Sequence, residues 1–248
     1  MESASQQRNS VIDFLADLND EERVKTLKSL SMGEVRALLA DLDAQYERDP
    51  WLWFLNEVNT RDEATQAMLP WPDKEYLRDL VWILDHEKGI VLPKSRRMMA
   101  SWVCAAWSVY VARFRSHHAI FYQSETEEKS AYILDQRCLF IESNLREPLL
   151  RRKYKAIKTH QGLVGRITYA DTGSYIWAIP QGDDAIRSFT FSILIMDESE
   201  FQPEADKALI SALPIWEKGA QLIILSTSNG PQGILAGICR EVGFTKFV

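Results

Sequence analysis

The sequence predicts an α/β domain whose mostly parallel central sheet is flanked by helices. Two aliphatic runs and the spacing around them carry that expectation. Ser192–Glu198, Ser-Ile-Leu-Ile-Met-Asp-Glu, is a continuous branched run, and Gln221–Thr227, Gln-Leu-Ile-Ile-Leu-Ser-Thr, is another. Such runs cannot face water on either side, so they read as strands covered on both faces, which is the habit of parallel sheets. From Gly89 onward, strand-like and helix-like segments alternate, as a parallel sheet with crossover helices requires.

The elements follow in order. Residues 1–9 are polar and predict no packed element. From Ser10 to Tyr46, apolar residues recur at helical spacing in three groups: Val11, Phe14, Leu15 and Leu18; then Val24, Leu27 and Leu30 after a cap at Asn19-Asp20; then Val35, Leu38, Leu39 and Leu42 after a cap at Ser31. This predicts an N-terminal helical appendage, residues 1–60, ahead of the main domain, residues 61–248. Asp49-Pro-Trp and Pro70-Trp-Pro72 punctuate the transition. A helix from Lys74 to His86 precedes a strand at Gly89–Pro93, a long apolar helix from Met98 to Phe114, a strand at Ala119–Gln123 and a helix from Glu125 to Leu145. Arg166–Ala170 and Ser174–Ile179 alternate around Asp171-Thr-Gly173 and predict a hairpin. The strand ending at Asp197, a helix over 204–213 and the strand at 221–227 complete the pattern.

Composition excludes several classes. Of 248 residues, 46% are hydrophobic and 26% charged, the balance of a globular chain. No apolar stretch is long enough to span a bilayer, and Met1-Glu-Ser-Ala-Ser-Gln-Gln lacks the layout of a secretion signal, so the expectation is a cytoplasmic protein without a membrane partner. Cys104, Cys138 and Cys239 are odd in number and far apart, which argues against a disulfide framework; they share no ligand spacing with the four histidines, so no structural zinc is expected. The formal charge of −6 gives no global attraction to nucleic acid but leaves room for local basic surface. The densest such patch is Leu149–Lys158, which on charge alone reads as a solvated helix face and connecting loop.

Asp197 and Glu198 stand where a buried strand ends, the edge at which open α/β sheets bind ligands. Adjacent carboxylates there suit a magnesium ion and an attacking water in phosphoryl transfer. Such a site needs a phosphate-cradling loop between an earlier strand and a helix. The candidate is Pro93–Ser101, Pro-Lys-Ser-Arg-Arg-Met-Met-Ala-Ser. Aligned on its terminal hydroxyl with G-x-x-x-x-G-K-[ST], Ser101 takes the Ser/Thr position, Lys94 the first glycine, Met99 the second and Ala100 the lysine. Both glycines and the usual lysine are missing. Backbone N–H groups at a helix start can still hold phosphate, Lys94 can curl back to the β/γ oxygens, and Arg96 and Arg97 add planar donors.

With Trp102, that stretch resembles the deviant phosphate loop of the large terminase subunits of tailed bacteriophages, in which the lysine moves to the front. Gln181–Thr190 resembles the family's segment leading into the acidic strand, Ile193–Glu198 its Walker B strand, and Leu225–Gly230 its coupling motif. The likeness runs over roughly residues 65 to 235. It implies a RecA-like P-loop NTPase fold of the ASCE type, with an extra strand between the two Walker elements. It implies ATP hydrolysis that drives double-stranded DNA into a preformed capsid, with ATP and Mg2+ as cofactors.

By the same resemblance, Lys94 contacts the β/γ-phosphates, with Ser95, Arg96, Arg97, Met98, Met99, Ala100, Ser101 and Trp102 lining the nucleotide. Ser101 and Asp197 hold magnesium, and Glu198 orients and deprotonates water. Ser226, Thr227, Ser228 and Asn229 couple hydrolysis to the DNA-gripping elements. The family's arginine is open between Arg96 in the same subunit, Arg137 across a ring interface, and Arg187. Trp71 and Tyr76, with Arg78, are the candidates for the adenine. Implied partners are DNA, the portal protein, the small terminase subunit and further copies in a ring, with five as the family's number, at the procapsid in the host cytoplasm. The segment 151–158 becomes a candidate DNA or neighbour contact. The chain reaches Val248 without the acidic pattern of the family's nuclease domain, so no DNA cleavage is expected of it. Two other readings stand beside this one: a helicase-like translocase, and a non-hydrolysing assembly or DNA-binding module.

Overall fold

A computed structural model describes Lys25 and residues 29–247, except 63, 96, 97, 148–151, 231, 232 and 242. The first two expected appendage helices therefore lie outside the described residues, apart from isolated positions. The third is present as α1, Met32–Arg48. Its start is fixed by a capping box: the Glu34 N–H donates to Ser31 Oγ, and the Ser31 N–H to the Glu34 carboxylate.

The chain divides into two compact units at Asp49/Pro50. The larger unit thus includes α2, Pro50–Glu57, and the β1–β2 hairpin, Asn59–Arg61 paired antiparallel with Met68–Pro70. The boundary expected at 60/61 places α2 in the appendage instead. Burial explains the difference: Trp53 and Phe54 are fully buried, Trp53 against Tyr110 and Phe114, and Phe54 edge-on to Trp71 at 4.8 Å.

The remaining strands are β3 (Gly89–Pro93), β4 (Ala119–Gln123), β5 (Tyr154–Lys158), β6 (Val164–Tyr169), β7 (Tyr175–Ala178), β8 (Ile193–Asp197), β9 (Gln221–Ser226) and β10 (Thr245–Lys246). They form one eight-stranded sheet in the order β10-β3-β9-β8-β4-β7-β6-β5. From β10 to β7 every neighbouring pair is parallel; β6 is antiparallel to both β7 and β5. Between β3, which leads into Lys94, and β8, which ends at Asp197, sits β9.

The helices of this unit are α3 (Glu75–His86), α4 (Ala100–Phe114), α5 (Glu127–Ile133), α6 (Phe140–Ser143), α7 (Asp184–Ser188), α8 (Ala205–Trp216) and α9 (Ile234–Ile238). All residues of β8 and β9 are buried. Val91, Phe121, Leu194, Met196, Leu222 and Ile224 face α8 and α9, which contribute Ala205, Ala208, Ala212, Leu235 and Ile238. The small alanines let α8 approach the sheet closely. Strand alternation turns Tyr122 and its row to the opposite face, towards Cys104 of α4 and Cys138. Helix α4 is buried from Trp102 to Arg113 on all sides, the behaviour expected of a helix with no polar face.

Three sequence expectations change. Residues 149–151 of the basic run lie outside the described residues; Arg152 and Lys153 are irregular, and Tyr154–Lys158 is the edge strand β5, exposed along its whole length, rather than a helix face. The β-forming residues Tyr154 and Ile157 and the proximity of β6 decide this over the helical charge pattern. The helix expected from Met98 begins at Ala100, because Met99 is left-handed. The helix expected over 125–145 is interrupted by a wide π turn, Leu134–Leu139, between α5 and α6.

Candidate nucleotide site

The parallel register brings four candidate side chains to one edge. Pro93 pairs with Ser226, and Asp197 pairs with Leu225 on the other side of β9. The Lys94 N–H donates to the Ser226 carbonyl at 2.9 Å, extending the ladder by one bond. Lys94, the Asp197-Glu198 pair and Ser226 therefore leave three adjacent strands at the same level.

Lys94 Nζ is the hub. It donates to Asp197 Oδ1 at 2.6 Å and to Ser101 Oγ at 2.9 Å, and lies 3.1 Å from Glu198 Oε1. Its side chain is 10% exposed and that of Asp197 2%. Burial acts to lower the Lys94 pKa, but the charges and hydrogen bonds of Asp197 and then Glu198 outweigh it, so the ammonium is held more firmly than in water. A hydroxyl and two carboxylates thus converge on a single cationic centre.

Two backbone positions are unusual. Met99 (φ +57°) and Glu198 (φ +53°) are two of only four described non-glycine residues with positive φ. Met99 stands where the ordinary phosphate loop has its second glycine, and keeps the conformation that glycine would adopt without strain. Its turn starts α4, delivering the Ala100 and Ser101 backbone to the cleft. At Glu198 the left-handed residue turns the chain sharply out of β8. Glu198 Oε2 then lies 3.5 Å from Ser226 Oγ, and the Glu200 N–H donates to that same hydroxyl at 3.2 Å. Glu200 in turn accepts from the Leu235 N–H at 2.6 Å, at the start of α9.

These groups open into a cleft of about 810 Å³. Lys94, Ser95, Met98, Met99, Ala100, Ser101, Trp102, Glu198 and Thr227 line it. Arg96 and Arg97 lie outside the described residues. Asp197 and Ser226 sit beneath its floor through their contacts with Lys94 and Glu198, while Ser228 and Asn229 are exposed beyond it.

Arg137 also lines the cleft, from within its own chain. The π turn puts it there. Among successive residues of that turn, Asp135 accepts from the Val164 N–H, Gln136 accepts from Arg61, Arg137 lies over Trp102 at 5.7 Å, and Cys138 packs under α4 near the Ala105 carbonyl. One widened turn serves four directions, and such turns recur at functional sites. Burial pushes the Cys138 thiol up to about 12, so it is an inert packing group.

The expected adenine contacts are not at this cleft. Trp71 is buried against Phe54, and Tyr76 lies on α3 beneath Lys74. Trp71 is a core residue, and Tyr76 is half-buried beside the buried Leu77. Arg78 is ion-paired with Asp73, and Arg187 pairs with Asp183 on α7, so neither lines it. The β1–β2 hairpin also lines the cleft, through Thr60, Arg61, Asp62, Leu69 and Pro70. Sequence reading passed over this hairpin. The signal available was Asp62, whose carboxylate accepts from the Ala64 and Thr65 N–H groups in a turn.

Among the described residues, no three His, Cys, Asp or Glu side chains form a self-sufficient metal site. The donors at hand do suit magnesium, which takes one carboxylate, one hydroxyl and phosphate oxygens rather than a full protein cage. Ser101 and Asp197 already share one cation between them.

No family model matches the sequence. Solved structures do. The HK97 bacteriophage large terminase aligns with a TM-score of 0.60 at 11% identity, over 79% of this chain and 42% of its own. A large terminase from a thermophilic bacteriophage aligns at 0.52 and 15% identity, over 71% of this chain and 45% of its own. The ATPase domain of the Thermus phage P74-26 large terminase aligns at 0.52 and 12% identity, over 71% of this chain and 81% of that domain. The chain therefore spans less than half the length of the large terminases it matches and has the fold of their ATPase domain.

Proposed function

We propose that the chain is the motor ATPase of a viral DNA-packaging machine, hydrolysing ATP with Mg2+ to move double-stranded DNA into a procapsid. The convergence of Lys94, Ser101, Asp197 and Glu198 at the edge of β3, β9 and β8 carries this reading. The fold shared with large-terminase ATPase domains supports it.

In this reading the Lys94 ammonium exchanges its two carboxylates for the β/γ-phosphate oxygens when ATP enters. That exchange frees Asp197, which with Ser101 would hold magnesium, and the ion would supply charge neutralisation to the transferred phosphoryl group. Glu198, released at the same moment, orients a water in line with the γ-phosphate and takes its proton. The backbone at Met99–Ser101 supplies N–H donors at a helix start. Ser226 lies against Glu198 and the Glu200 N–H, so a change at the catalytic carboxylate reaches α9 through Glu200. Arg137 is the transition-state arginine, reaching the γ-phosphate of its own subunit once the cleft closes. An arginine in that role accelerates transfer by about 10³- to 10⁵-fold. The β1–β2 hairpin covers the base. The portal protein, the small terminase subunit and further copies arranged in a ring are the partners this motor requires.

Phosphate release with and without double-stranded DNA tests the proposal, beside Glu198→Gln and Lys94→Ala. Wild-type turnover stimulated by DNA is expected. Glu198→Gln should keep nucleotide binding and lose at least about a hundredfold in turnover, the range over which a positioned general base acts. Lys94→Ala should lose both. Nucleotide binding without turnover in the wild type, with DNA present, would instead make the chain an assembly module.

A further inference from the structure

We infer that the outer face of β5, β6 and β7 is the surface on which this chain holds the phosphate backbone of duplex DNA. Six Lys and Arg residues and no Asp or Glu fall between Glu147 and Asp171, in a chain whose formal charge is −6. The sheet brings three of them, Lys153, Lys155 and Arg166, to one face. Lys155 is opposite Thr168, which is opposite Tyr175; Ile157 is opposite Arg166, which is opposite Trp177. Directly paired residues share a face, so these six side chains form two adjoining rows. Lys153 continues the row of Lys155, its carbonyl still accepting from the Ala170 N–H at 3.1 Å.

This face is continuous with the one that α8 and α9 cover further along, since Trp177 pairs with Phe121. Yet Phe121 is fully buried, whereas Ile157 is 45% exposed and β5 is open along its length. The cations here are uncommitted: among the described residues Lys153, Lys155 and Arg166 form no ion pair. Arg166 instead lies over Tyr175 at 4.0 Å and Trp177 at 5.5 Å. Those rings are capped by a guanidinium and cannot stack on unpaired bases, which is what a single-strand platform would need. What remains is a rigid, cationic, sequence-blind surface, and its complement is the regular phosphate array of a duplex.

The inference rests on the motor reading for its choice of polyanion, but its test is separate. Six strand-to-strand steps separate β5 from β3, roughly 30 Å, so substitutions here leave the nucleotide cleft untouched. The measurement is binding of a short duplex by fluorescence anisotropy across a salt series. It compares the full chain with Lys153→Glu/Lys155→Glu and Lys153→Gln/Lys155→Gln, with phosphate release without DNA and the melting profile as controls. The reversal should weaken binding at least about tenfold at moderate salt. The neutral pair should lower the slope of log affinity against log salt by about 2, since each phosphate that a lysine neutralises adds about 0.9 to it. Basal turnover and melting should not change. Unchanged affinity and slope, or no duplex binding by the wild type, would overturn the inference. So would self-association that the variants abolish while DNA binding survives, because the face would then seat a second copy. Tighter binding of single strands than of duplex would overturn it as well. If turnover is absent while the lysines still govern duplex binding, the motor reading falls and this surface stands.

Discussion

Met99 takes a left-handed backbone at the position where an ordinary phosphate loop has its second glycine. A left-handed non-glycine residue costs about 1 to 3 kcal/mol, and here the cost falls at the residue that aims the first turn of α4. Met99→Gly should therefore leave stability unchanged or raise it by up to about 1 kcal/mol, the backbone relief being offset by the freer unfolded chain. Denaturant unfolding would check this, and a loss larger than about 1 kcal/mol would mean that the methionine side chain, not its backbone, is what the loop needs. At this scale the sequence was informative where chemistry is local. Lys94, Ser101, Asp197 and Glu198 could be named because strand ends and helix starts are visible in the pattern. Trp71 and Tyr76 misled for the opposite reason: an aromatic ring looks the same in a sequence whether it faces a ligand or, like Trp71, the ring of Phe54.

Among elements, the joint between α4, α6 and β6 is a buried ionic one. Arg113 donates to Glu142 at 2.6 Å, the Tyr169 hydroxyl donates to the other carboxylate oxygen at 3.0 Å, and both charged side chains are wholly buried. Burial pushes the Glu142 pKa up despite the opposing pull of Arg113 and Tyr169. Breaking such a pair strands a charge, so Arg113→Met should destabilise the fold by about 3 to 5 kcal/mol. Arg113→Met with Glu142→Leu should recover much of that loss, and thermal melts of the single and double variants would show it. Equal damage in both would mean that the guanidinium packs rather than pairs. None of this joint was legible beforehand, because nothing in the pattern pairs Arg113, at the end of a long apolar helix, with Glu142 in a different helix. The π turn was hidden for a related reason: Leu134–Leu139 has ordinary helical composition, and only the competing demands of β6, the β1–β2 hairpin, the cleft and α4 widen it. The edge strand β5 was misread because its lysines suit a helix surface as well as an open sheet edge, where charge discourages unwanted strand pairing.

For the whole molecule, strand order matters more than any single interaction. The parallel core from β3 to β9 was foreseeable from its aliphatic runs, since strands buried on both faces must be apolar throughout. The antiparallel extension through β6 and β5 was foreseeable only as the β6–β7 hairpin. Spatial order has a further consequence, in the timing of synthesis. The strands bearing Lys94 and Asp197 are not neighbours, because β9 lies between them and is made from residues 221–226, after both. A nascent chain halted just after β8 has Lys94, Ser101 and Asp197 yet lacks the strand that sets their spacing, and it presents two bare apolar edges in its place. Chains truncated after Phe201 should accordingly be protease-sensitive and bind holdase chaperones, and resistance should appear abruptly once β9 is included. The candidate site is thus assembled late and all at once, when the chain's late strand closes a gap that its earlier parts have held open.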